Sequence, residues 1–171
     1  MSGSEDENQH PGSSFRYILD FTLYRPRDLI LFFQPLQSGN FTIPLKPSDI
    51  YNLAGQYVEN FVLEIKNELS SFYDSIQIET ILNALREISK ENDCSYDKAA
   101  QIVKENTCNI PIDEILNDLF NRSIIGNKKS NGHMVFKCRE PLNSAEVYKL
   151  RQEYSIVIQN GFKLYLSNRY T

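Results

Sequence analysis

Two clusters of cationic side chains are the candidates for chemistry in this sequence. The first is Arg25-Pro26-Arg27-Asp28. Proline fixes the backbone at a helix start, and arginine offers a planar fork that grips phosphate or carboxylate with two parallel hydrogen bonds. Arg25 and Arg27 are therefore candidates for a phosphate sensor or an interface clamp. The same residues also suit a structural role, with an arginine bonded to a carboxylate that fixes the helix entry. The second cluster is Lys128, Lys129, His133, Lys137 and Arg139. Read as one hairpin, it could hold about three or four phosphates in weak, salt-sensitive contact. Lysines on a solvated hairpin edge that discourage strand pairing are the plainer reading.

Other chemistry is missing from the sequence. There is no Gly-x-x-x-x-Gly-Lys-Ser/Thr loop, no GxGxxG and no GxSxG. The histidines are His10 and His133, and no CxxC pair accompanies Cys94, Cys108 and Cys138. A zinc site needs ligands at paired spacing, so no metal is expected, and no cofactor. Asp113 and Glu114 fall in a helix first turn, where carboxylates complement the dipole without doing catalysis. The chain is read as no enzyme by itself.

The elements that position these residues follow from apolar spacing. Residues 1 to about 13 are polar and acidic and lack aliphatic side chains, which predicts a disordered arm. Ser14 is the expected cap of a first helix carrying Phe15, Ile18, Leu19 and Thr22, ending by Tyr24 or Arg25 because proline follows. Pro26 then opens a helix with Leu29, Ile30, Leu31, Phe32 and Phe33, apolar nearly all round and so expected to be buried on most sides. Ser48 is the expected cap of a long helix to about Ser70. Its residues Ile50, Leu53, Ala54, Tyr57, Val58, Phe61 and Ile65 keep helical spacing throughout.

Residues 75 to 140 read as one unit. A helix carries Ile78, Ile81, Leu82, Leu85 and Ile88; a second starts after Ser95; a third opens at Pro111 with Ile112, Ile115, Leu116, Leu119 and Phe120. Ile124-Ile125 reads as a strand, Gly126 to Gly132 as a turn, and His133 to Cys138 as the returning strand. Three short helices and a hairpin in that order predict a winged helix-turn-helix. The fold class is thus mainly α with a small β-hairpin: a disordered arm (1–13), a helical region (14–72), the winged helix (75–140) and a C-terminal extension packed on it (141–171). In that extension Asn143 or Ser144 is the expected cap of a short helix reaching Arg151. Ile156-Val157-Ile158 is the expected strand, and Phe162 to Leu166 the last helical piece.

Several of these segments resemble a known family. Thr22 to Ile30, with its Arg-Pro-Arg-Asp core, is similar to a segment after the nucleotide-binding domain in a family of bacterial P-loop ATPases related to the AAA and STAND groups. Lys46 to Ile50, Leu119 to Asn127 and Ile156 to Phe162 extend the resemblance across residues 15 to 166. It implies a helical lid followed by a C-terminal winged helix, and a partner in the form of an ATPase core or another subunit. The family's Walker motifs are absent from this chain, so its ATP hydrolysis does not carry over.

DNA binding is the alternative a winged helix invites. The outer face of the third helix offers Asp113, Glu114, Asn117, Asp118, Asn121 and Arg122, three acids against one base. Phosphates wall the major groove and repel such a face. Weak contact through the basic hairpin is what remains. Overall charge agrees: 18 basic and 22 acidic residues among 171 give −4, which excludes a strongly basic nucleic-acid coat. The longest apolar run, Leu29 to Phe33, is far short of the about 20 residues a membrane span needs. The N-terminus has no basic start and no apolar stretch of a secretory signal, so a cytoplasmic location is expected.

Overall fold

The long helix is the axis on which the rest is assembled. In the computed structural model, which describes residues 11–38, 41–107, 109–141, 143–145 and 149–168, it is the third of seven α-helices: α1 (Pro11–Leu19), α2 (Pro26–Phe33), α3 (Pro47–Leu69), α4 (Ser75–Lys90), α5 (Tyr96–Asn106), α6 (Ile112–Asn121) and α7 (Asn160–Asn168). A sheet of β1 (Ile125–Lys128), β2 (Met134–Val135) and β3 (Ser155–Ile158) completes a mainly α fold. The apolar stripe read in α3 is its buried face: Leu53, Ala54, Tyr57, Val58, Phe61, Val62, Ile65 and Leu69. α2 packs on one side of this stripe and α7 on the other, where Phe61 meets Phe162 edge-on at 5.6 Å.

Helix starts follow local chemistry. α3 begins one residue before the expected cap: the Lys46 N–H donates to the Asp49 carboxylate at 2.8 Å and Pro47 takes the first helical position. Proline is suited there because the first amides of a helix have no partner anyway. α1 already includes residues 11–13, which were expected in the arm ahead of a Ser14 cap. The remainder of the expected disordered arm, residues 1–10, lies outside the described residues. Asp74 caps α4 by accepting from the Gln77 N–H at 2.8 Å, and Ser95 caps α5 as expected. α2 is less enclosed than its composition predicts. Only Phe32 and Asp28 are buried, and Ile30 is 71% exposed, because packing on α3 and the following 3-10 turn leaves the other face of a short helix open.

The sheet differs from a simple hairpin. Its order is β2-β1-β3, all antiparallel, with Gly126 opposite Val157 and Lys128 opposite both Met134 and Ser155. Gly126, expected in the turn, is in β1, since a Cβ there would lie 2.5 Å from the Val135 carbonyl oxygen. The expected returning strand shrinks to Met134–Val135, and Lys137–Arg139 form a short 3-10 turn instead. β3 comes from the segment expected as an extension, so residues 155–158 complete the sheet of the preceding unit. Beyond β3, the Ile156 N–H donates to the Cys94 carbonyl at 2.7 Å, tying the α4–α5 connection to the same sheet. Residues 149–151 are not helical; 146–148 of the expected short helix lie outside the described residues.

The turn after α1 and the start of α7 pack together. Buried Gln159 donates to the carbonyls of Asp20 and Thr22 at 3.1 Å and accepts from the Phe162 N–H at 3.0 Å. Gly161 permits this approach, because a Cβ there would come within 2.5 Å of the Phe21 carbonyl oxygen.

Candidate functional site

At the entry to α2 the chain reverses through Tyr24, whose φ of 61° is a left-handed conformation uncommon outside glycine. The turn delivers Arg25 in extended backbone and Asp28 in the first helical turn. Asp28 is fully buried. Its carboxylate accepts from the Leu23 N–H at 3.0 Å, from Arg25 Nε at 3.0 Å and from Arg25 Nη2 at 2.8 Å. Arg25 Nη1 also lies 3.6 Å from Glu64 on α3. Arg27 takes the same Glu64 in a forked pair at 3.1 and 3.3 Å. Both candidate arginines are thus directed at carboxylates of the molecule itself. The Asp28 hydrogen bond raises the Arg25 pKa further, and burial, then the Asp28 charge, drives the neighbouring Tyr57 phenol far above its ordinary range.

The second cluster is dispersed by the fold. Lys128, on β1, pairs with Asp93 of the α4–α5 connection at 3.3 Å. A hydrogen bond from Ser155, then Lys128, holds the Asp93 carboxyl below its usual range. Lys129 lies over the Tyr154 ring at 5.9 Å. His133 Nε2 is 3.9 Å from Glu140. Lys137 and Arg139 are on the 3-10 turn, not on a hairpin strand. Lys137 Nζ donates to Asn121 Oδ1 on α6 at 2.7 Å. Arg139 is mostly buried, pairs with Asp20 at 3.1 Å and lies between the rings of Tyr24 and Phe136 at 4.8 and 4.7 Å. These five residues therefore do not form one cationic strip; Arg139 fastens the N-terminal turn to the sheet.

The outer face of α6 is the acidic surface its sequence describes. Asp113, Glu114, Asn117 and Asn121 are exposed. Arg122, its one base, is half-buried against Glu68 at 3.0 Å and Asp118 at 3.3 Å, with Phe72 under its guanidinium.

A feature the sequence reading missed lies on this face. Residues 149–153 return across the N-terminal half of α6 and leave a polar cleft of about 290 Å³ lined by Tyr96, Asp113, Asn117, Lys149, Arg151 and Gln152. The Tyr96 hydroxyl donates to Asp113 at 2.8 Å, and its pKa is raised mainly by burial. Asn127, read as a turn residue, is 1% exposed and bonds the Arg151 backbone with both ends of its amide, each at 3.0 Å. Only its place in a stretch of alternating small and polar residues before Asn131-Gly132 marked it, and that reads equally well as a loop.

Among the described residues no group of His, Cys, Asp and Glu is placed to hold a metal ion. Cys94 is buried, its thiol pushed up to about 11 by desolvation, and Cys138 is raised for the same reason. No described helix is long and apolar enough to cross a membrane. Comparison with protein-family models, curated proteins and solved structures gives no match to this chain.

Proposed function

We propose that this chain is a non-catalytic winged-helix module that works by binding a protein partner rather than DNA. The winged-helix reading is supported by the order α4, the Cys94 bridge, α5, α6 and the antiparallel pair of β1 with β3. The observation that carries the choice of partner is the outer face of α6. A recognition helix must meet phosphate-walled DNA with donors, whereas this one presents Asp113 and Glu114 and is crossed by residues 149–153.

The partner that the family resemblance implies is the core of a P-loop ATPase. α2 and α3 supply a surface for it: a groove of about 690 Å³ over Leu31, Tyr57 and Phe61, with Leu63 57% exposed beside it and Ile30 on the open side of α2. Exposed aliphatic side chains on packed helices are interface material. In this reading Arg25 and Arg27 are scaffold for that surface, and cytoplasmic location follows from the partner.

Fluorescence anisotropy with duplex DNA at two salt concentrations tests the choice. The expected result is no binding tighter than about 10 μM, a level equivalent to about −7 kcal/mol. Submicromolar, salt-dependent binding lost in a Lys128→Glu/Lys129→Glu variant would overturn it in favour of a DNA-binding wing. Calorimetry with Mg-ATP is expected to give no affinity tighter than the same level. Titration with an ATPase core lacking this region should show binding that Ile30→Asp and Leu63→Asp each weaken at least tenfold.

A further inference from the structure

The segment 149–153 is held differently from the rest of the fold. Leu150 is its one buried side chain; Lys149, Gln152 and Glu153 are exposed, and Arg151 is half-buried. What fixes it is Asn127. This side chain sits on the central strand, almost wholly enclosed, and closes a two-bond ring with the Arg151 backbone: Nδ2 donates to the Arg151 carbonyl and Oδ1 accepts from the Arg151 N–H. The amide thus pairs the segment to the sheet as a neighbouring strand would, yet through one side chain. Beneath the segment the polar cleft separates it from Tyr96, Asp113 and Asn117, so the contact with α6 is not a packed apolar one.

We propose that residues 149–153 are a strap, latched by Asn127, that opens as a unit without unfolding the rest of the molecule and so widens the polar cleft it shares with Tyr96, Asp113 and Asn117. Segments with few buried apolar contacts and few shared backbone bonds are those that open locally. The burial of Leu150, the two bonds of Asn127 and the hydrogen bond of Gln152 with Tyr96 are what opening breaks. α4, α5 and α6 keep their own cores, built on Ile81, Leu85, Ala99, Val103, Ile115 and Leu119, all 2% exposed or less. This device is independent of which partner the module binds.

Native-state hydrogen exchange on the full chain tests it. In the unaltered protein the Arg151 amide should be protected, exchanging through an opening with shallow denaturant dependence, faster than the amides of α3 and α6. Asn127→Ala should speed exchange of the Arg151 amide by about 10- to 100-fold, the effect of losing about two hydrogen bonds, with α6 unchanged. Asn127→Asp, which retains the acceptor for the Arg151 N–H and loses the donor, should fall between. An Arg151 amide that exchanges only with global unfolding in the unaltered protein would overturn the proposal, even if the variants fail to fold. So would an unprotected Arg151 amide, or Arg151 exchange indifferent to Asn127→Ala.

Discussion

The α2 entry and the wing both concentrate basic residues in sequence, and the fold treats them in opposite ways. At α2 the partners are close in chain and space: Arg25 meets Asp28 three residues on, and Glu64 of the adjoining helix takes the second arginine. The carboxylate at the centre is fully buried and has several donors. Over residues 128–139 the partners come one by one: Glu140 from the next few residues, and Asp93, Asn121 and Asp20 from distant segments. A cluster built around one buried carboxylate is a structural joint. A string of cations with separate surface partners is mostly solvated decoration, and only its mostly buried member, Arg139, carries weight.

The sharpest way to break this contrast is Asp28→Ala. It leaves Arg25 and the Leu23 N–H without their acceptor at a buried site. We expect a loss of about 3 kcal/mol, at the lower end for a broken buried pair because Arg25 reaches solvent. A chemical denaturation midpoint matching the unaltered protein would show that the joint is decorative. Arg139→Ala comes next. It removes a largely buried ion pair and the stacking on Tyr24 and Phe136. The expected cost is about 1–2 kcal/mol in the same denaturation experiment. A cost equal to that of the other wing cations would erase the distinction drawn for it.

Tyr57 sharpens the comparison at high pH. Burial and Asp28 raise its folded pKa, while in the unfolded chain it titrates near 10. The unfolded state therefore releases that proton first. The stability held below pH 10 is lost as pH rises above it, toward the folded pKa. Tyr57→Phe should change little at pH 7 and flatten that alkaline loss, measured by denaturation midpoints from pH 7 to 11. Tyr73, pushed up to about 12 mainly by burial, titrates in the same direction and should leave a residual slope. An alkaline limb identical in the variant would mean that Tyr57 does not feel the joint.

How much of this was legible differs between the two regions for physical reasons. Helices declare themselves by apolar spacing, so α3 to α6 follow the sequence closely, as does Pro26 at the start of α2. Phe120, expected in the core, is fully buried. A structural role for the arginines was also legible, but as Arg27 bonded to a carboxylate; Arg27 does take Glu64, while the buried pair, Arg25 with Asp28, was not singled out. The sheet was harder. β1 reads Ile-Gly-Asn-Lys, with no β-branched alternation, and its main partner β3 is about 30 residues away. Strand pairing across that distance leaves no local signal. For the same reason the wing cations appeared as one strip, since Asp93, Asp20 and Asn121 are invisible from positions 128 to 139. The strap was missed because a buried asparagine and a turn asparagine look alike in sequence.

The smallest expected effect is on Lys128, and it tests the wing side of the comparison most directly. Lys128 and Asp93 are both substantially exposed, with side chains 38% and 66% accessible. An exposed pair gains little attraction in water, holds two mobile side chains in one geometry and is screened by salt. Lys128→Ala should therefore shift stability by no more than about 0.5 kcal/mol at low salt, and by less still in 0.5 M salt, where the Debye length falls to about 4 Å. The adjoining Lys129 rests on Tyr154, and its removal should be similarly mild. The measurement is a pair of denaturation curves at two ionic strengths. A loss above about 1.5 kcal/mol that persists in high salt would mean that Lys128 is part of a buried network like that of Asp28. The two clusters would then be of one kind, and the assignment of the wing to solvent would fall with the contrast.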